Sequence, residues 1–525
     1  MTVPAAKTDT VADAAAGVRA RRRRLPAAPA VLTIGLLASY TIDPIEPYLH
    51  VALVDAGLVP EIVVGPFNQI MPQCLDDRGP MARLAPDVLV VAPRWEEMPE
   101  GDEEGELMRL ADAALAAADR RESCLVFVLP ALPQRGGGVA DAGHPDGVAA
   151  AAMATRQRLR LRLAGRVHVQ VADAEEAVRD VGGLRAHHPA LYAFARIPYT
   201  DEVFWRLGWD IARLVRVRFG GVPRSAVLGD DLLTQANAEV LRDPLLRLGK
   251  AGMRFAVVDG HDRSPMALSG GWAPLAPSLA ADWVAGAGPG PLRALAARLG
   301  PSWLLTGDPE LAEAAATIDG LDPILLGPAP EAWPAEIQEA GVFDRPLPRR
   351  PGAALPSPPG QSPQTLSLEE FVSGLGVSVT FDEPDDAGSA VAELLARSKD
   401  FVLGPVPDGF DPADFVAGSD RLLLTAGVRD RFGDYGLGAV AGLAFASGVC
   451  RVEVFSVSCP VMGRGVEPLV LREIVDIAGR HGCGRVELAV TPTGRNGVAL
   501  RFAAEAQERT WDSDGRTIVV RTVDR

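Results

Sequence analysis

From Val31 onward, short apolar runs alternate with stretches in which apolar residues recur every three or four positions. VLTIGLLAS is followed by IEPYLHVALVDAGL, then by PEIVVGPF and PDVLVVAPRW. Continuous apolar runs bounded by Pro and Gly predict parallel strands covered on both faces, and the amphipathic stretches between them predict crossover helices. The pattern continues through a helix over 104–119, the strand CLVFVLPAL, a helix over 148–163 and the strand RVHVQVAD. A first α/β domain therefore spans 29–200.

The helix DEVFWRLGWDIARLVRVRF leads into SAVLGDD, a helical QANAEVLRDPLLRLGKAG, the strand MRFAVVDG and the helix-then-strand PLRALAARLGPSWLLTGD. This is a second doubly wound, Rossmann-like α/β set over 201–345. Residues 346–366 are rich in Pro and predict an extended linker. SLEEF at Ser367 carries the spacing of a capping box, and CRVEVFSVSC and CGRVELAVTPT flank the helix PLVLREIVDIAGRHG. The final portion, 367–525, is α+β.

Composition narrows the function. The 525 residues carry 52 Lys+Arg against 68 Asp+Glu, a net charge of −16, so no general basic surface is available for nucleic-acid phosphates. Hydrophobic residues make up 48% and charged residues 23%, which is the balance of a chain that buries sizeable cores. Cys74, Cys124, Cys450, Cys459 and Cys483 are scattered without a CxxC pair, so neither a disulfide framework nor a thiolate zinc site is expected, and a cytoplasmic setting fits. Residues 1–28, with the basic cluster Arg21 to Arg24, read as a disordered tail, and no apolar run reaches the roughly 20 residues of a bilayer span.

Motifs of common active sites, GxSxG, HExxH, GxxxxGK[ST] and GxGxxG, are missing. Asp230 and Asp231 follow an apolar strand, where open α/β sheets place ligand or Mg²⁺ groups; an exposed strand cap is the plainer alternative. SVSCPVMGRGVE passes from a strand through a glycine turn into a helix, whose amides can hold a phosphate. Cys459 beside Arg464 there is a candidate nucleophile or acyl carrier, with a buried small hydrophobe as the alternative. His187 and His188 are adjacent and cannot readily face one ligand. His261 near Asp259 and Asp262 lacks a third ligand.

Three stretches in this order resemble the FkbH-like family, proteins with a haloacid-dehalogenase-type core associated with loading glyceryl groups onto acyl carrier proteins. The N-terminal SYTIDPIEPYLHVALVDAGLVPEIVVGPFNQI, PDVLVVAPRW and LYAFARIPYT are similar to the family's SGNH-like leading domain. VRDRFGDYGLGAVAG, FSVSCPVMGRGVE and VTPTGRN, with SLEEFVSGLGVSVTFDE before them, are similar to its acetyltransferase-like (GNAT) domain. The resemblance implies an SGNH-like domain, a Rossmann-like dehalogenase-type domain and an α+β acetyltransferase-like domain in a single chain.

It also marks departures. The family's Asp-Leu-Asp-Asn-Thr motif corresponds to Gly229-Asp230-Asp231-Leu232, leaving Gly at the phosphate-attacking position and keeping only Asp231; in the alternative register Asp230 is the nucleophile and Leu232 replaces the acid/base. The second motif corresponds to Asp259-Gly260-His261-Asp262, the motif-three Lys falls in Gly286 to Gly290, and the closing Asp pair is Gly307-Asp308. Asp231 and Asp308 are thus remnants of a Mg²⁺ site, and no phosphatase activity or Mg²⁺ is expected.

In the C-terminal domain Pro460 replaces the first Arg of the pyrophosphate-binding turn, while Gly463, Gly465, Arg431, Asp434, Glu467, Thr493 and Asn496 stand at matching positions. The resemblance implies that Cys459 and Arg464 act on acyl groups. Gly463, Gly465, Asn496, Arg431 and Asp434 would then hold a carrier protein's phosphopantetheine. Two functions follow: acyl or aminoacyl transfer to or between acyl carrier proteins, or a non-catalytic scaffold that meets an acidic carrier protein through Arg429, Arg431 and Arg464. A Mg²⁺-dependent phosphatase is the third. Ser39 and Thr41 lie near the first strand without an Asp-x-x-His partner, so no hydrolase is expected there.

Overall fold

The computed structural model describes residues 31–134, 138–220, 222–260, 268, 270–344, 367–384, 388–398, 400–403, 411–418, 420–493, 495–507, 509–513 and 516–524. The expected tail 1–28 and linker 346–366, and also His261 and Asp262, lie outside the described residues.

The mixed α/β architecture is built on three sheets. The first comprises β1 (Val31–Ala38), β2 (Val59–Val64), β3 (Val88–Ala92), β4 (Cys124–Leu129) and β5 (Val169–Asp173) in the order β2-β1-β3-β4-β5. Its central strands β3 and β4 are buried at every position and pair in parallel, which is why they read as unbroken apolar runs. The helix Glu103–Arg121 puts acids in its first turn and Arg120 and Arg121 in its last, both favourable to the helix dipole, and buries an Ala-rich face.

The second sheet comprises β6 (Ser225–Gly229), β7 (Arg254–Asp259), β8 (Trp283–Ala285), β9 (Ser302–Thr306) and β10 (Leu321–Leu325) in the order β10-β9-β6-β7-β8. Its pairs are parallel, and helices Gln235–Lys250, Pro289–Leu299 and Pro309–Ala316 connect the strands.

The third sheet is mixed and comprises β11 (Ser378–Asp382), β12 (Arg421–Asp430), β13 (Gly433–Ala446), β14 (Val449–Val457), β15 (Arg485–Val490), β16 (Thr510–Ser513) and β17 (Arg516–Asp524). Strand order is β11-β12-β13-β14-β15-β17-β16. Neighbours are antiparallel from β11 to β14, parallel along β14-β15-β17, and antiparallel at β16. The helix Val466–Arg480 covers one face, and the capping box expected at Ser367 forms with Glu370.

By compactness, Ile45–Pro60 and the described part of Phe204–Leu355 form one unit, while Thr33–Pro44, Glu61–Val203 and the described part of Pro356–Arg525 form another. The first and third sheets therefore share a unit. Among the described residues no helix is long and apolar enough to cross a membrane.

Candidate functional site

Open parallel sheets place ligands at the carboxyl ends of their strands. At that edge of the second sheet β6 ends on Gly229, and Asp230 and Asp231 form a short 3₁₀ turn. Asp230 is buried, and its Oδ1 accepts the Gly260 N–H at 3.0 Å. Asp231 bridges to β9: Oδ1 accepts from Thr306 Oγ1 at 2.9 Å and Oδ2 from the Gly307 N–H at 2.7 Å. Burial pushes the Asp231 carboxyl above its ordinary value, against the pull of these two bonds.

The nucleophile position is filled from the side. A Cβ on Gly229 would lie 2.1 Å from Asp231 Oδ1 and 2.9 Å from Thr306 Oγ1. Asp308 caps the helix Pro309–Ala316, its Oδ1 accepting the Glu310 N–H at 2.9 Å, and Asp259 Oδ2 accepts from Trp283 Nε1 at 3.0 Å. An open cleft of about 630 Å³ lies here, walled by Asp231, Asp308, Leu326 and Trp333. Among the described residues its lining contains no Lys or Arg, so none of them would offset the charge of a phosphoryl group beside these carboxylates.

Among the described residues no three His, Cys, Asp or Glu side chains are grouped to hold a metal. Both Asp231 oxygens already serve protein donors. The described residues at these strand ends do not form a cluster that fits Mg²⁺.

In the third sheet the turn after β14 is committed internally. Gly463 and Gly465 take φ of 75° and 84°, the left-handed region where a side chain is strained. The Gly463 N–H does not point to an open cradle; it donates to Glu467 Oε1 at 2.6 Å. Gln69 Nε2 donates to the Met462 carbonyl at 2.9 Å, and a Cβ on Gly463 would press on Gln69 at 3.3 Å. A Cβ on Gly465 would meet Val372 at 3.3 Å. The glycines serve close packing.

Arg464 is buried and ion-paired with the equally buried Asp430. Its Nε donates to the Pro460 carbonyl at 2.9 Å, and the guanidinium lies 5.1 Å from the Phe432 and Tyr435 ring centres. Cys459 Sγ lies 3.8 Å from Asp400 Oδ2, and Asp400 Oδ1 lies 3.7 Å from Arg495 Nε. Arg464, the cation expected beside Cys459, is paired with Asp430. The basic patch expected at Arg429, Arg431 and Arg464 is likewise cancelled. Arg431 pairs with the buried Glu106 at 2.8 Å, and Arg429 pairs with Asp434 at 2.8 Å on the surface.

Asn496 is hydrogen-bonded within the chain. Strands β14 and β15 pair only from Val449 with Arg485 to Val452 with Leu488 and then part. Parting strands expose backbone groups that an extended amide-bearing ligand, such as a phosphopantetheine arm, can pair. Here Phe401–Leu403 fills the gap. Leu403 N–H donates to Phe455 O at 3.1 Å, Val457 N–H to Phe401 O at 3.0 Å, and Thr491 N–H to Leu403 O at 2.8 Å. Asn496 Nδ2 donates to Val402 O at 2.8 Å and Thr491 O at 2.9 Å, and its Oδ1 accepts the Thr493 N–H at 2.9 Å. Phe401 packs edge-on against Phe455 and Phe502, centroids 5.3 and 5.5 Å apart.

In the first sheet's layer Ser39 is 1% exposed and its Oγ accepts the Arg94 N–H at 2.8 Å. His188 caps the helix Pro189–Ala195 through Nδ1, and His187 lies against Tyr199, where burial lowers its pKa.

No family model matches the sequence, and no curated protein matches it. Among solved structures, the N-terminal part of protein BF1531 from Bacteroides fragilis, which contains a phosphatase domain and was crystallised with Mg, aligns with a TM-score of 0.52 at 12% identity. The alignment covers 63% of this chain and 98% of that one. The likeness is one of fold, an α/β arrangement, and it leaves the chemistry to the residues at the strand ends.

Glu467 offers a direct test of the turn. Burial holds its carboxyl above the ordinary glutamate value, while the Gly463 N–H pulls it the other way. With the folded-state value raised, its contribution to stability is complete below the ordinary glutamate range and is lost as pH rises through the raised value. Glu467→Gln keeps an acceptor for Gly463 without the charge. Melting curves from about pH 5 to pH 8 are expected to show that Glu467→Gln loses less stability than wild type over the rise, while Glu467→Ala melts lower throughout.

Proposed function

We propose that the chain is an FkbH-like binding protein that associates with an acyl carrier protein in natural-product assembly and performs no phosphoryl transfer. One observation carries the non-catalytic part: the groups that would receive an acyl-phosphopantetheine are bonded within the chain, with Gly463 on Glu467, Arg464 on Asp430, and Phe401–Leu403 seated between β14 and β15. The carrier protein as partner is supported by the sequence resemblance of 367–525 and of 39–200 to the family.

A second reading, acyl transfer through Cys459, is favoured by one fact. Cys459 is half-buried, whereas Cys74, Cys124, Cys450 and Cys483 are buried.

Intact-mass spectrometry of wild type and Cys459→Ala, incubated with acyl-carrier thioesters with and without Mg²⁺, separates the two. The expected result is no adduct on either protein while immobilised carrier protein retains both. An acyl mass on wild type that vanishes in Cys459→Ala would replace the binding reading with the transfer reading. Hydrolysis of a phosphomonoester that depends on Mg²⁺ would overturn the loss of phosphoryl chemistry.

A further inference from the structure

The second sheet is electrically sided. Its carboxyl edge presents Asp231 and Asp308 to the open cleft. At its amino edge the charge is reversed. The helices Gln235–Lys250 and Pro289–Leu299 end there, and their last turns carry Arg247, Lys250 and Arg298, where cations oppose the negative helix end. Arg254 opens β7 and pairs in register with Ser225, next to Arg224, whose carbonyl accepts the Arg254 N–H at 3.0 Å.

The segment before β6 adds Arg216, which lies 4.6 Å from the Trp303 ring centre at the start of β9, and then Arg218 and Phe219. Arg298 is neutralised by Asp282 at 2.9 Å and Arg216 by Asp322 at 3.2 Å. Arg218, Arg224, Arg247, Lys250 and Arg254 are exposed and make no ion pair with a described residue; nearby acids are Asp319, after the helix Pro309–Ala316, and Asp243, one turn before Arg247 and paired with Arg242. Phe219 is 37% exposed, with the Arg218 guanidinium 5.1 Å from its ring centre.

We infer that this edge, centred on Arg224, Arg247, Lys250 and Arg254, is the surface that docks an acidic carrier protein. The inference rests on the binding reading above and gives it a place, since the arginines of the third sheet are consumed by Asp430, Glu106 and Asp434. A chain of net charge −16 repels acidic partners over most of its surface, and screening within about 8–10 Å at ordinary ionic strength lets a local cluster of cations act against that background. A nucleic acid extends beyond such a cluster and meets the surrounding negative surface. A compact acidic protein does not need to. Exposed Phe219 among the cations supplies an apolar anchor of the sort that fixes a protein interface.

Surface plasmon resonance of the full chain over an immobilised holo acyl carrier protein, from low to physiological salt, tests the assignment. Arg224→Glu, Arg247→Glu, Lys250→Glu and Arg254→Glu are combined in one variant. A control of equal added charge combines Arg179→Glu, Arg185→Glu, Arg451→Glu and Arg509→Glu. Melting temperatures confirm that both fold.

The expected result is a Kd raised about tenfold or more by the edge variant, less than about twofold by the control, and a wild-type affinity that falls steeply with salt. If wild type binds and both variants bind alike, the edge is not the docking surface and the binding reading survives. If wild type binds no carrier protein, both fall. If instead RNA or anionic vesicles bind wild type and lose the edge variant, the edge is an anion-binding surface of another kind and the carrier assignment is overturned.

Discussion

Arg464→Met is expected to destabilise the unit that contains the third sheet by about 3–5 kcal/mol, because it leaves Asp430 charged, buried and without its counter-ion. The Arg464 and Asp430 side chains are 7% and 0% exposed. Asp430 Oδ1 also accepts from the Phe432 N–H at 2.7 Å and the Tyr435 hydroxyl at 3.1 Å. These bonds fix the tight turn between β12 and β13 but cannot replace a full positive charge. Methionine matches much of the arginine stem, so the loss measured is one of charge and hydrogen bonding more than of volume.

Adding Asp430→Leu is expected to recover only part of the loss. It removes the orphan charge but leaves the Phe432 N–H and the Tyr435 hydroxyl without their acceptor. Chemical denaturation followed through the Tyr and Trp signals measures wild type and both variants. A catalytic Arg464 would behave differently, with acyl transfer lost and stability kept. An Arg464→Met protein as stable as wild type would show that the buried pair does not hold the turn.

Much of the architecture can be read from sequence because the physics behind it is local. β3, β4 and β6 are continuous apolar runs since each is covered on both faces. The helix Val148–Leu163 has the bounds its periodicity predicts, and Ser367 with Glu370 forms its box within a single turn.

What stays hidden depends on partners far along the chain. Glu106 lies 325 residues from Arg431 and Gln69 lies 393 from Met462, so nothing near either turn announces that Arg431 is neutralised or that Gly463 is packed. Glycines that permit a phosphate to approach are the same glycines that permit Gln69 to approach. Phe401–Leu403 is too short to show a strand period, and only the gap between β14 and β15 gives it a role.

Gly229→Asp puts the missing nucleophile back in sequence and is expected to restore no chemistry. The backbone does not forbid it: Gly229 sits at φ −64° and ψ 140°, which any residue adopts. The obstacle is Asp231, whose Oδ1 occupies the space 2.1 Å from the new Cβ and is held there by Thr306, while Oδ2 is held by Gly307. Accommodating a side chain means breaking those bonds and bringing two carboxylates together in a partly buried site with no lysine among the described residues of the cleft lining, at a cost of about 1–3 kcal/mol from crowding before the charge repulsion is counted.

Thermal denaturation of Gly229→Asp should therefore show a lower melting temperature, unchanged by millimolar Mg²⁺, and phosphomonoester hydrolysis should stay at background. Combining Gly229→Asp with Asp231→Gly frees the space and is expected to cost less than the sum of the single changes, which locates the clash at Asp231. A Gly229→Asp protein that melts higher in Mg²⁺ and turns over a phosphomonoester would mean that one substitution separates this chain from an active phosphatase, and that Asp231 releases Thr306 and Gly307 when a metal competes for it.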